Sequence, residues 1–287
     1  AGWRNDKHAA QWGATLATYA YPLIGELPVQ AVDVGLVLKV LEPIWTEKPE
    51  TASRLRGRIE SVLDYAKVRG WRDGENPARW RGHMDNLLAP RAKVRATEHH
   101  AAMPYADLPA FMKELRRQEG VAASALEFLI LTAARTGEAI GARWSEIDTV
   151  EQTWTIRAGR MKASREHRVP LSAGAVAVIE AVPRLDDGAN DGFVFPGAKS
   201  SKPLSNMALL MLLRRMDHGE LTAHGFRATF KTWASERTAF QNEIIESSLA
   251  HVVGGKVEQA YMRGDLFDKR RQLMTAWADY CAASGGL

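Results

Sequence analysis

The chain has 287 residues, of which 46% are apolar and 25% are charged. This composition is typical of a globular protein with about two domains, and it excludes a fibrous repeat and a largely disordered chain. The net charge of +4 allows a polyanionic partner without requiring one. Cys281 is the single cysteine. The chain therefore has no disulfide framework or thiolate metal cluster, and a reducing, cytosolic setting is favoured.

The longest apolar stretch runs from Val121 to Ala134 and is interrupted by Ser124 and Glu127. It is too short to span a bilayer, so we expect no membrane-spanning segment. The chain begins without Met and without the order of a signal peptide. We therefore expect it to be a segment cut from a longer protein.

Residues 1–95 are predicted to form a helical domain, because apolar side chains recur there at spacings of three and four. Thr51, two residues after Pro49, is the expected N-cap of the second of the two clearest helices. The apolar sets are Leu36, Val37, Val40, Leu41 and Ile44, followed by Leu55, Ile59, Val62, Leu63 and Ala66.

Positive charge is concentrated in one part of this domain. Eleven Lys or Arg and five acids lie between Arg54 and Arg95, with Trp71 and Trp80 among them. One interpretation is a solvated helix face, and the other is a surface that follows a phosphate backbone. The candidate contacts are Arg54, Arg56, Arg58, Lys67, Arg69, Arg91, Lys93 and Arg95.

Residues 96–104 are predicted to be a linker, because they lie in a polar, basic stretch without apolar periodicity. His99 and His100 are adjacent rather than spaced for a metal ion, so no metal site is expected. Residues 105–287 are the predicted second domain, which ends in a tail helix.

The second domain is predicted to be mainly helical with a small antiparallel sheet. Its elements in chain order are helices over Leu108 to Arg117 and Ser124 to Ala134, a hairpin of Thr153 to Ile156 with His167 to Leu171, a short third strand at Phe193 to Phe195, and helices from Ser205 to Cys281.

Three short motifs carry polar side chains that phosphoryl chemistry can use. In LTAARTGEAIG, Arg135 ends the apolar helix and Glu138 follows three residues later. LTAHGFRATF places His224 and Arg227 on one helical face, and SLAHVVGGKVEQAY places His251 ten residues before Tyr261. The hairpin connection GRMKASREHR adds Lys162.

Taken in order as Arg, Lys, His-x-x-Arg, His and Tyr, these residues resemble the tyrosine recombinase family, the phage-type integrases, and in particular its prophage and genomic-island branch. The resemblance covers nearly the whole chain and implies a two-domain DNA clamp, with a helical core-binding domain and a catalytic domain. The family often has Thr-Gly where this chain has Thr132 and Ala133.

The residues also suit metal-free cleavage of a phosphodiester. Arg135 and Arg227 can bind nonbridging phosphate oxygens in a bidentate manner, while Tyr261 can attack phosphorus. Lys162 is the expected acid for the 5′ leaving oxygen. Three further roles are expected: His224 accepts the tyrosine proton, His251 donates to a nonbridging oxygen, and Glu138 orients Arg135 or a neighbouring histidine.

Each of these residues also has a structural interpretation. Arg135 could complement a helix dipole, His224 could belong to a helix cap, and His251 and Tyr261 could pack in the core. For Lys162 the basic alternatives are Arg160, Arg165 and Arg168. The tail helix could pack on its own domain or on a neighbouring protomer.

The resemblance implies site-specific recombination at double-stranded DNA attachment sites, through a 3′-phosphotyrosyl intermediate and without a metal or other cofactor. It also implies a homotetramer on synapsed DNA and a DNA-bending accessory protein. The expected location is the bacterial cytoplasm, in association with the nucleoid, and the expected outcome is integration or excision of a mobile element. The alternatives are a catalytically silent, sequence-specific DNA-binding protein and a type IB topoisomerase-like enzyme.

Overall fold

A computed structural model describes residues 6–94, 101–184, 191–199, 201–251 and 264–283. The chain divides into two compact units, Ala1–His99 and His100–Leu287. Within the described ranges, helices predominate and one small antiparallel sheet is present, which confirms the predicted fold class. None of the helices in those ranges is long and apolar enough to cross a membrane.

In residues 6–94 of the first unit, all regular structure is helical. Its helices are α1 (Asp6–Tyr19), α2 (Tyr21–Ile24), α3 (Val34–Trp45), α4 (Pro49–Val68) and α5 (Arg91–Val94). The side chain of Asp33 caps α3 by accepting from the Leu36 N–H at 2.8 Å. The prediction that Thr51 caps α4 is wrong: the helix begins at Pro49, whose missing N–H suits the first helical position.

The core of this unit forms where α3 packs against α4. Val37 and Leu41 face Leu55 and Ile59 there, all of them buried, as the apolar periodicity predicts. Val62 departs from this pattern, since it is 43% exposed although it belongs to the predicted apolar sets, and Leu36 is only half-buried.

The second unit contains eight α-helices among its described residues. They are α6 (Leu108–Leu115), α7 (Val121–Thr132), α8 (Thr136–Ile140), α9 (Ala173–Glu180), α10 (Asn206–Arg215), α11 (Gly225–Arg237), α12 (Asn242–Ser248) and α13 (Phe267–Ala282). Helix α7 is apolar on nearly every face and packs against α9, α10, α11 and α13, so it forms the centre of the core.

The tail helix α13 packs on its own domain, against α6, α7 and α12 and the last strand of the sheet. Leu273, Met274 and Trp277 are buried along its inner face. The indole N–H of Trp277 donates to the Ile130 carbonyl at 2.8 Å, which ties α13 to α7.

The sheet has three antiparallel strands in the order β1 (Ile147–Asp148), β2 (Thr153–Ile156) and β3 (His167–Pro170). The β2–β3 hairpin confirms the prediction, with Ile156 opposite His167. The prediction of a third strand at residues 193–195 is wrong. Phe193 makes only an isolated bridge to Arg143, and Val194 donates to the Ala142 carbonyl, so this segment pairs outside the sheet.

Candidate active site

Arg135 is positioned by the junction between α7 and α8. Helix α7 ends at Thr132, Ala133 adopts a left-handed conformation at φ 49° and ψ 27°, and Arg135 is the N-cap residue of α8. The expectation that Arg135 ends the apolar helix is therefore wrong, because the chain turns at Ala133 first. This is the position at which the family often has glycine, a residue that adopts this conformation without steric cost.

Glu138 holds Arg135 from the first turn of α8. Its carboxylate accepts from the Arg135 backbone N–H at 2.9 Å and from the guanidinium at 2.8 Å. The Glu138 side chain is only 6% exposed. Of its two expected partners, Arg135 or a histidine, Glu138 thus contacts Arg135.

Arg227 lies in the first turn of α11 and is buried. Its guanidinium donates to the carbonyls of Ala133 and Leu249, the latter at 2.7 Å. Burial, and then the positive charge of Arg135, lower the pKa of Arg227 to about 10. The guanidinium therefore still carries its charge at neutral pH.

The carbonyl of Leu249 joins the two arginines. It accepts from Arg135 at 3.5 Å and from Arg227 at 2.7 Å, and the Ala250 carbonyl accepts from Arg135 at 3.3 Å. Two guanidinium groups are thereby held side by side by backbone oxygens at the end of α12. The bonds to residues that the structure describes do not use all five donors of either guanidinium, and the other donors suit the oxygens of a phosphate.

His251 completes this cluster immediately beyond α12. Its Nε2 lies 3.2 Å from a guanidinium nitrogen of Arg227, and its Nδ1 lies 2.6 Å from a carboxylate oxygen of Glu246. Three residues predicted from separate motifs, Arg135, Arg227 and His251, thus meet in one place. Glu246 lies outside the motifs from which the site residues were predicted.

His167 is a second residue near the site that is not among the predicted site residues. It lies on β3, is largely buried, and interacts with Arg270 of α13 and with Arg135 and Arg227. Burial, followed by the charges of these three arginines, lowers the pKa of His167 to about 3, so its imidazole is neutral at pH 7. The available signal was its place on the strand, where His167 shares a face with the apolar Val169 at a spacing of two.

The other predicted catalytic residues lie at the edge of the described site or outside it. His224 is exposed at the N-terminus of α11, one turn before Arg227. Gly225 follows it, and an added Cβ there would collide with the Ala101 carbonyl, so α11 begins in close contact with the segment before α6. Lys162 is exposed on the β2–β3 connection. Tyr261 lies outside the described residues.

Two of the basic alternatives to Lys162 are engaged elsewhere. Arg160 pairs with the buried carboxylate of Glu146 and donates to the Glu138 carbonyl at 2.6 Å. Arg168 lies 4.0 Å above the ring of Phe267 and 3.6 Å from Asp265. Arg165, like Lys162, is exposed.

The basic candidates of the first unit divide into surface and structural residues. Arg58 is 5% exposed and donates to the Gln11 carbonyl at 2.8 Å, so its prediction as a DNA contact is wrong. Arg56 is largely buried and bonds to Glu60 and the Ala78 carbonyl. The exposed residues are Arg54, which pairs with Glu50, together with Lys67, Arg69 and Lys93. The Arg91 side chain and Arg95 lie outside the described parts of the structure.

Comparison with known proteins identifies the relatives of both units. The phage integrase central domain model matches residues 1–83, and the phage integrase family model matches residues 102–265. Prophage integrase IntZ of Escherichia coli (strain K12) is 34% identical over 280 residues, which cover 97% of this chain and 67% of that protein. Prophage integrase IntA of the same organism is 32% identical and covers 92% and 62%. The chain thus spans about two thirds of the length of these relatives.

Solved structures show the same fold at low identity. A lambda integrase dimer bound to a COC′ core site matches with a TM-score of 0.63 and 14% identity, over 91% of this chain and 89% of that one. The Tn1549 transposon integrase in complex with transposon right end DNA matches with a TM-score of 0.61 and 13% identity, over 89% and 92%. The chain belongs to the phage integrase family of tyrosine recombinases.

Proposed function

We propose that this chain forms the core-binding and catalytic part of a site-specific DNA recombinase. The observation that supports this most strongly is the convergence of Arg135, Arg227 and His251 around the Leu249 carbonyl. Two adjacent cations fixed by backbone oxygens suit the nonbridging oxygens of a pentacoordinate phosphorus. In this proposal residues 1–95 bind core-type DNA, residues 96–104 link the domains, and residues 105–287 carry the chemistry.

The reaction begins when the Tyr261 oxygen attacks phosphorus and the bond to the 5′ oxygen breaks. His224 accepts the tyrosine proton, and Lys162 protonates the departing oxygen. Arg135 and Arg227 bind the nonbridging oxygens, to one of which His251 also donates, and so they supply the positive charge that metal ions supply in other phosphoryl transfers. The phosphotyrosyl bond conserves the energy of the phosphodiester, so a 5′-hydroxyl of the partner duplex can reseal the strand.

The same proposal covers partners and assembly. Two duplex attachment sites would be brought together by a homotetramer, with a DNA-bending accessory protein, to integrate or excise a prophage or genomic island near the nucleoid. The lambda integrase relative is a dimer on a core site, which supports a DNA-bound oligomer. No observation favours the two alternatives, the silent DNA-binding protein and the topoisomerase-like enzyme.

A nicked duplex that carries a boundary between the mobile element and its host chromosome tests the proposal. Cleavage beside the nick releases a short 5′ fragment that diffuses away, so the protein stays trapped on the DNA. We expect a covalent adduct with the wild-type chain and with Tyr21→Phe, which changes an exposed tyrosine of the first unit. Tyr261→Phe should bind DNA without forming an adduct.

An adduct that persists in Tyr261→Phe would assign the nucleophile to another residue. Absence of an adduct in the wild type would favour the silent DNA-binding alternative. Relaxation of supercoiled DNA without strand exchange between two duplexes would favour the topoisomerase-like alternative.

A further inference from the structure

Glu246 joins one lysine, Lys231, to the histidine of the candidate site. One carboxylate oxygen lies 2.5 Å from the Lys231 ammonium, and the other lies 2.6 Å from Nδ1 of His251. The Glu246 side chain is only 14% exposed. Burial alone would raise the pKa of Glu246, but the hydrogen bonds from Lys231 and His251 outweigh it and lower the pKa below its ordinary value. Glu246 is therefore ionised at neutral pH.

The backbone at the end of α12 brings Glu246 and His251 together. The His251 N–H donates to the Glu246 carbonyl at 3.0 Å, and the Ala250 N–H donates to the Ser247 carbonyl at 3.1 Å. Ala250 has a φ of 50°. These are the two hydrogen bonds and the left-handed residue of a Schellman motif. The motif places the residue five positions after Glu246 beside it, so the imidazole meets the carboxylate through a short, fixed backbone turn.

The hydrogen-bond chemistry assigns the protons of His251. A guanidinium only donates, so Nε2 of His251 accepts from Arg227. An ionised carboxylate only accepts, so the ring proton lies on Nδ1 and is donated to Glu246. In this arrangement Nε2 faces the guanidinium of Arg227. To donate to a nonbridging oxygen, as proposed above, His251 must take up a second proton at Nε2 when phosphate is bound, and Nδ1–H can stay bonded to Glu246 in both forms.

We propose that Glu246 is a positioning residue of the reaction, which holds His251 through Nδ1 and thereby directs Nε2 at the phosphate pocket of Arg135 and Arg227. This inference rests on the proposed function. Without Glu246 the imidazole could rotate about its side-chain bonds or exchange its ring proton. A histidine fixed by a carboxylate at one nitrogen presents the other nitrogen in a defined position.

The first experiment reads the His251 ring directly, without DNA. Nitrogen-15 NMR of the histidine side chains, assigned by comparison with His251→Gln, should show His251 as the Nδ1–H tautomer in the wild-type chain and in Glu246→Gln, whose amide oxygen can still accept. In Glu246→Ala the Nε2–H form should gain population. Glu243→Ala, an exposed change on the same helix, should leave the tautomer unaltered. An unchanged His251 spectrum in a folded Glu246→Ala variant would overturn the inference.

The second experiment measures single-turnover adduct formation on the nicked duplex. Glu246→Ala should slow it by about 10- to 100-fold, by analogy with the span typical for partners that orient metal-ligating histidines, while Glu246→Gln should keep most of the rate. In a His251→Ala background, Glu246→Ala should cause no further loss, since its effect acts through His251. Independent, multiplicative losses would refute the positioning role. A wild-type chain without adduct would instead refute the proposed function, and the NMR result would still decide whether Glu246 sets the tautomer.

Discussion

Lys162 is the residue whose proposed role as an acid can be separated from a general effect of positive charge. Lys162→Ala should slow cleavage by about 10²- to 10⁴-fold, the usual contribution of a general acid. A substrate with sulfur at the bridging 5′ position has a leaving group that needs no proton, so it should rescue this variant. Arg135→Ala and Arg227→Ala should remain impaired, because their proposed task is to stabilise charge on nonbridging oxygens.

The control for this experiment is Arg165→Ala, which removes the neighbouring exposed cation on the same connection. Arg165→Ala should slow cleavage less than Lys162→Ala does. The sulfur substrate should not alter the ratio of its cleavage rate to that of the wild type. Sulfur rescue of Arg165→Ala, or no rescue of Lys162→Ala, would show that Lys162 is not the acid.

His167 should make the second unit sensitive to acid. Its pKa is about 3 in the folded chain and 6.5 for an unperturbed histidine. The unfolded state therefore binds a proton first as the pH falls, so this contribution to stability is complete above pH 6.5 and is lost progressively toward pH 3. Between pH 7 and pH 5 the loss should be about 2 kcal/mol.

Hydrogen exchange of peptides from the second unit, measured at both pH values, checks this prediction. His167→Gln should show a flatter dependence of the free energy of unfolding on pH, because the titrating group is absent. Equal pH dependence in the variant and the wild type would contradict the assignment of the acid sensitivity to His167.

At the scale of elements, two helix ends position the site through alanines in a left-handed conformation. Ala133 follows α7 at φ 49°, and Ala250 follows α12 at φ 50°. The carbonyl of each accepts a hydrogen bond from one of the two arginines, Ala133 from Arg227 and Ala250 from Arg135. The left-handed conformation costs about 1–2 kcal/mol for a residue with a Cβ. It is retained where the surrounding contacts impose it.

Ala133→Gly and Ala250→Gly should therefore each raise the free energy of unfolding by about 0.5–1 kcal/mol, after the entropic cost of glycine is subtracted. Ala177→Gly, at an exposed position inside α9, should lower it by a similar amount. Denaturant unfolding of the three variants provides the measurement. A loss of stability at both left-handed positions would mean that the alanine methyl groups contribute more than the strain costs.

At the scale of the whole molecule, DNA affinity should depend on salt. Contacts between phosphates and cations release counterions, so the logarithm of affinity for a nonspecific duplex should fall linearly with the logarithm of salt concentration. Lys67→Ala and Arg69→Ala, which change exposed residues near the end of α4, should each reduce that slope by about 1.

Arg58→Met is the matched change on the same helix. Because Arg58 is buried and bonded to Gln11, this variant should lose stability while its salt slope remains that of the wild type. An affinity that does not vary with salt would exclude a phosphate-binding surface. A reduced slope in Arg58→Met would show that Arg58 contacts phosphate.

The amino-acid sequence was enough to predict the family and the fold class, and its motifs named most of the candidate site residues. Apolar spacings of three and four indicated α3 and α4, and alternating β-formers indicated the β2–β3 hairpin, since these periods follow directly from helix and strand geometry. The order of Arg135, Arg227 and His251 along the chain indicated chemistry that no one of them would indicate alone.

Which polar side chains meet, and which basic residues are buried, could be seen only in the folded chain. Arg58 and Lys67 look alike in a charge count, and their difference depends on which side of α4 faces the core. His167 interacts with arginines that are distant in sequence. Glu246 contacts a histidine that lies just beyond the end of its own helix. The physical reason is that periodicity reports local burial, whereas hydrogen bonds and charge interactions depend on the packing of separate elements.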